Sequence, residues 1–153
     1  MARNRSVVEA PVATVFAVLS DARTYDVFVP GTNRIRRFEP TWPDAGSTFH
    51  HTLGVGPFIL RDLTRVEEVH AERRLVLRAQ MRPFSVNRVS WTLRPDGERT
   101  EVEVEEYAIE GPAALVWNPA LDGLMWLRNH EMLRRFKKVA ARRRAQQAGA
   151  ERA

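Results

Sequence analysis

The chain has 153 residues, 24 lysines and arginines against 19 aspartates and glutamates, a formal charge of +5, 44% hydrophobic residues and no cysteine. That length and apolar fraction suit one packed domain over residues 1–153, and the missing cysteine excludes disulfides, Cys-ligated metals and a thiol nucleophile. No apolar stretch of signal-peptide length follows residues 1–6 before Pro11 and none approaches a membrane span, so the sequence reads as a cytoplasmic protein.

Residues 3–9 partly alternate and read as an opening strand that Ala10-Pro11 stops. Val12, Val15, Phe16 and Leu19 then recur at helical spacing, with Pro11 tolerated at the start of the helix. A second short helical piece over 21–28 ends at Pro30 and Gly31. From there the period changes, and strands are expected at 33–39, 46–55, 58–70, 74–82, 85–94 and 99–109. Their separators are short enough to demand antiparallel hairpins, Asp96-Gly97 being the clearest. Gly111, Pro112, Asn118 and Pro119 mark an irregular crossing. Asp122 then caps a helix to about residue 147, with Met125, Met132, Phe136 and Val139 on one stripe flanked by Leu133 and Ala140. At nearly 40 Å for ~25 residues, its last turns should project beyond the core.

One long helix with a single apolar stripe and a wide antiparallel sheet must bury these faces against each other, and a sheet of that width curls. The expected fold is α+β: a seven-stranded curved antiparallel sheet wrapped around a long C-terminal helix, with two short helices after strand 1.

Particular residues carry a family resemblance. The Ala10-Pro11 helix with Val15-Phe16 and Leu19-Ser20-Asp21, then Tyr25 with Pro30-Gly31, resembles the opening of polyketide cyclase/dehydrase-like members of the START-related (SRPBCC, Bet v 1-like) helix-grip superfamily. Gly56-Pro57-Phe58 leading to Val66-Glu67-Glu68-Val69, then Arg74-Leu75-Val76-Leu77, is similar to their central strands. The resemblance covers residues 3 to about 145 and implies a hydrophobic cavity. Such folds host lipid carriers, cyclases, quinone-binding proteins, hormone receptors and co-chaperones, so the ligand stays open.

Alternation assigns the faces. Phe49 and Leu53, with Val55, carry His51 inward; Leu75, Leu77, Ala79 and Met81 face in; Val89, Trp91 and Leu93 carry Asn87; Val102, Val104 and Ala108 carry Glu106. In 58–70 both faces are mixed, and the face with fewer cations, bearing Asp62, is taken as the interior. On the long helix, Met125, Met132 and Phe136 bring Asn129 inward, with His130 at the border. The expected ligand-binding set is Phe49, Asp62, Asn87, Trp91, Trp117, Met125, Asn129 and Met132, with Trp117 as a gate at the mouth and Trp126 as a further ring able to stack on a planar ligand.

Glu106 and His51 are the acid-base candidates, since a cyclase or dehydratase needs a base beside the carbonyl and donors for the enolate. Two plainer readings stand beside them. Glu106 can pair with Arg88 or Arg128 as a structural charge, and an inward histidine is often a satisfied core residue. No metal and no cofactor are expected, because His50 and His51 point to opposite sheet faces and no helical His pair exists.

From Arg134 onward eight basic residues face only Glu151, a local +7 that leaves −2 for the first 133 residues. This basic helix extension either meets an anionic membrane surface or an acidic partner, or simply complements the helix dipole. The lack of interleaved aromatics argues against nucleic acid. The leading expectation is a binder of a lipid, quinone or polyketide, with a cyclase/dehydratase second and an interaction module third, as a monomer or homodimer.

Overall fold

The computed structural model of the chain describes residues 1–116 and 118–152, with the backbone alone at Val55. In chain order the elements are β1 (Ala2–Val8), α1 (Val12–Leu19), a 3-10 turn (Ala22–Thr24), α2 (Tyr25–Phe28), β2 (Thr32–Phe38), β3 (Thr48–Val55), β4 (Phe58–His70), β5 (Arg74–Met81), β6 (Ser85–Asp96), β7 (Arg99–Glu110), α3 (Pro112–Leu115) and α4 (Pro119–Arg152). All seven strands form one sheet in the order β1-β7-β6-β5-β4-β3-β2. Every pairing is antiparallel, and only β1 joins out of sequence, lying along β7 with Ala2 opposite Glu106. The sheet wraps α4, so the α+β helix-grip fold expected from the residues is the fold observed.

The short helices are tied down by side chains at their ends. Ser20 Oγ donates to the Phe16 carbonyl at 2.8 Å, and the Asp21 carboxylate accepts from the Arg23 amide at 3.2 Å to start the next turn. The Leu19 carbonyl, left free at the end of α1, accepts from the buried Tyr25 hydroxyl at 2.8 Å and Trp42 Nε1 at 3.3 Å. One C-terminal carbonyl thus fixes two rings of the core. The rings continue as a network: Phe28 and Trp91 each meet Phe136 of α4 at 5.1 Å between centroids, and Phe49 meets Trp42 at 4.7 Å.

The crossing after β7 differs from its expectation in two ways. Pro112 to Leu115 form a helical turn, α3, that begins just past Gly111. Pro112 at the first position and Ala-Ala-Leu after it are good helix starters, a signal that a one-turn helix hides behind the neighbouring turn residues. Gly111 has φ of +87°, and a Cβ there would stand 2.7 Å from the Phe84 carbonyl oxygen, so glycine permits the close approach of the crossing to the β5–β6 hairpin. The cap of α4 is Asn118, whose Oδ1 accepts from the Ala120 amide at 2.9 Å. Asp122 sits inside the first turn and takes the N-terminal ammonium at 3.1 Å.

α4 has 34 residues, about 50 Å. Its buried stripe is Asn129, Met132, Leu133, Phe136 and Ala140. The last turns do not project freely. Thr14 Oγ1 donates to Gln147 Oε1 at 2.8 Å, Arg143 pairs with Asp21 at 3.1 Å, and Arg144 donates to the Glu9 carbonyl at 2.8 Å and reaches Glu98 at 3.5 Å. Long cationic side chains lying back on the segments that flank α1 and on the β6–β7 hairpin hold the helix down beyond its apolar stripe. No helix among the described residues is long and apolar enough to cross a membrane.

Candidate functional site

Between sheet and α4 the space divides into two chambers. The outer one, about 360 Å³, opens between the end of β7, α3 and the start of α4, and is lined by Met81, Asn87, Glu106, Val116, Leu124, Met125 and Arg128 among others. The inner one, about 60 Å³, is lined by Phe49, His51, Thr64, Trp91, Met132 and neighbouring apolar side chains. Met81, Glu106 and Arg128 border both and form the neck between them. The aromatic network explains the division: Phe49 and Trp91, expected as ligand contacts, fill the centre of the fold and leave the inner chamber room for about two waters.

The neck holds a buried carboxylate paired with an arginine. Glu106 is 2% exposed and accepts from Asn87 Nδ2 at 2.7 Å and from Arg128 Nη1 at 3.2 Å. β6 and β7 bring Asn87 and Glu106 to the inner face, and α4 lowers Arg128 onto them one turn before Met132. Both carboxylate oxygens are engaged, and of the two arginines named as partners for Glu106 it is Arg128 that pairs with it. Arg128 has five N–H donors and uses one on Glu106. Asn87 Oδ1 is buried without a partner. The neck therefore still offers donors and an acceptor to whatever enters the outer chamber.

His51 lies on the inner chamber wall, sharing a hydrogen bond of 3.1 Å between Nε2 and the Thr64 hydroxyl, while Nδ1 has no partner. Burial pushes its imidazole down to about 4, so it is neutral near pH 7. Asp62 is buried as expected but lines neither chamber. It accepts from the Arg82 backbone amide at 2.9 Å, from Arg82 Nη2 at 3.3 Å and from the Leu63 amide at 2.9 Å, and so acts as a clamp between β4 and the β5–β6 hairpin. Asn129 is fully buried with neither side-chain polar atom bonded, and it too lines neither chamber. One turn earlier the Trp126 carbonyl accepts from Asn4 Nδ2 at 3.1 Å, which places Asn129 along the seam of α4 with β1. Met125 lines the outer chamber and Met132 the inner. Trp126 turns outward and stacks on His130 at 5.4 Å. Trp117 lies outside the described residues.

Arg128 is the site residue that sequence reasoning named only as a partner of Glu106. Its spacing to Met125 and Met132, three and four residues, puts it on the cavity stripe, a signal hidden by treating a cation as an outward residue. No three His, Asp or Glu side chains among the described residues converge as a metal site would require.

A curved sheet closed by a long helix over an internal cavity with a polar neck defines a helix-grip protein. A family model described as polyketide cyclase/dehydrase and lipid transport matches residues 8–137, and the chain belongs to that family. Solved structures share the fold. The Zhui aromatase/cyclase from Streptomyces sp. R1128 is 20% identical with a TM-score of 0.68 over 93% of each chain. A START superfamily protein from Mycobacterium smegmatis is 14% identical with a TM-score of 0.73, covering 92% of this chain and 97% of that one. The di-domain ARO/CYC StfQ from the steffimycin biosynthetic pathway is 16% identical with a TM-score of 0.68, and this chain spans 50% of it. No curated protein matches the sequence.

Proposed function

We propose that this protein binds a lipophilic molecule bearing a hydrogen-bond acceptor, its body in the outer chamber and its polar end at the Asn87–Glu106–Arg128 neck. The observation that carries this reading is the neck itself, where unused guanidinium donors and a free amide oxygen stand at the inner end of a mostly apolar chamber of drug-molecule size. The ligand class is that of a quinone, a polyketide or a fatty acid. A body of that size cannot enter the inner chamber, so its first polar contacts are with Arg128 and Asn87.

A second reading, cyclisation with loss of water, is supported by the family's name and by the unpartnered His51 Nδ1 on the same inner wall as Glu106. It is the weaker one. Both oxygens of Glu106 already accept hydrogen bonds, and a histidine pushed to about 4 is a poor base near neutral pH.

Native mass spectrometry followed by denaturing extraction tests both. The expected result is a co-purified lipophilic molecule, recovered chemically unchanged, whose addition at about a hundredfold over its Kd raises Tm by roughly 5–10 °C. Recovery of a dehydrated, cyclised product would favour the enzyme. A protein that is always empty and gains no stability from quinones, fatty acids and polyketide mimics would refute binding.

A further inference from the structure

The ion pairs of this protein are unevenly placed. Across β1, β5, β6 and β7 the outward cations are matched: Arg3 with Glu105, Arg5 with Glu103, Arg78 with Glu110, Arg88 with Glu67 and Arg94 with Glu101. On β2 and β4 the pattern stops. Arg34, Arg36, Arg37, Arg61 and Arg65 are exposed, and among the described residues none has a carboxylate within 4.0 Å. Cross-strand pairing sets Arg34, Thr52 and Arg61 in one row, the two arginines about 10 Å apart across two strand spacings. Charges on an edge strand commonly keep other strands from pairing there. That accounts for β2, but β4 is interior to the sheet, so edge protection leaves Arg61 and Arg65 unexplained.

Bare apolar side chains stand near these arginines. The β3–β4 hairpin, the β5–β6 hairpin, the α3 crossing and the start of α4 all stand at the end of the sheet where the outer chamber opens. Each carries a bare apolar side chain: Phe58 is 82% exposed, Phe84 63%, Leu115 87% and Leu124 63%. They stand on separate connections around an opening. Scattered apolar tips of this kind suit a deformable lipid surface, which admits each side chain singly, better than a folded partner, which would need one continuous groove. The neighbouring unpaired arginines complement anionic headgroups. The α4 tail lies at the other end of the sheet, with Arg144 on the β6–β7 hairpin partner Glu98, so docking through the tail would turn the mouth away.

We propose that the chain docks on an anionic lipid surface mouth first, with Phe58, Phe84 and Leu115 entering the interface and Arg34 and Arg61 against the headgroups. The proposed ligand would pass through that mouth; docking itself needs no ligand.

Flotation of the full chain with vesicles of equal phosphatidylcholine and phosphatidylglycerol, against phosphatidylcholine alone, tests the surface. Binding to the anionic vesicles alone, weakening as salt rises, is expected. Arg34→Glu with Arg61→Glu should lower partitioning by more than ~10-fold, since each basic residue near such a surface contributes about a factor of five and reversal adds repulsion. Phe58→Ser with Leu115→Ser should lower it similarly, while Lys137→Glu with Arg142→Glu leaves it within about twofold. Equal binding to neutral vesicles, no binding to either, or loss only in the tail variant would overturn the proposal, as would capture by a soluble acidic protein with no vesicle binding. All three double variants change exposed residues, and thermal melts without vesicles confirm their folding. Ligand-induced stabilisation measured in the same melts reports the cavity separately, so either reading can fail alone.

Discussion

Arg128 and Glu106 hold the neck as a pair, and their unequal exposure sets what each deletion does. The Glu106 side chain is 2% exposed and that of Arg128 29%. Replacing Arg128 by alanine leaves a carboxylate deep in the protein with one neutral donor, a change expected to cost about 3 kcal/mol in urea unfolding. The double variant Arg128→Ala with Glu106→Gln should recover most of that loss, because the stranded charge is gone. Equal instability of single and double variants would mean that packing dominates at this position. The inward direction of Glu106, Asn87 and His51 was legible from strand alternation, since period 2 fixes a face once its apolar set is known. Which cation answered Glu106 was not, because Arg88 and Arg128 sit on different elements and only the angle of α4 over the sheet chooses between them. Asp62 shows the same limit: its burial followed from its strand, but the Arg82 amide that makes it a clamp comes from a neighbouring hairpin.

The long helix is held along more of its length than its apolar stripe covers. Its apolar stripe ends near Ala140, yet the chain stays docked through Thr14, Arg143 and Arg144 as far as Gln147. Truncation after Ala140 should therefore lower stability by about 1–3 kcal/mol, the sum of two hydrogen bonds and two partly exposed ion pairs. Guanidinium denaturation of the truncated and full chains measures it, and equal midpoints would mean that these contacts contribute nothing. Ligand binding at the neck should survive. α1 and the strand sequence were readable because each has a strong period bounded by proline or glycine. The one-turn α3 and the Asn118 cap were not, because a segment crowded with Gly, Pro and Asn presents turn chemistry and helix starts in the same few residues.

At the scale of the whole molecule, pH ties the interior to stability through His51. In the unfolded chain this imidazole titrates near 6.5 and in the native chain at about 4. Between those values the unfolded state holds more protons, so stability falls as the pH drops from about 6.5 towards 4, by about 2 kcal/mol over the first 1.5 units. A His51→Gln variant should lose that slope while sharing any acid sensitivity of the carboxylates, and identical pH profiles would show His51 to be solvated. Length, the run of short strands, the single long helix and the absence of thiol chemistry were all determined by the sequence, because each rests on local period or composition. The charge was not. Counted along the chain it is +7 on the tail and near neutrality elsewhere, but folding sets Arg143 and Arg144 against Asp21 and Glu98 and leaves the arginines of β2 and β4 unmatched. Composition fixes how many charges a chain has; which of them meet depends on strands and helices far apart in sequence, and only the packed sheet and helix decide that.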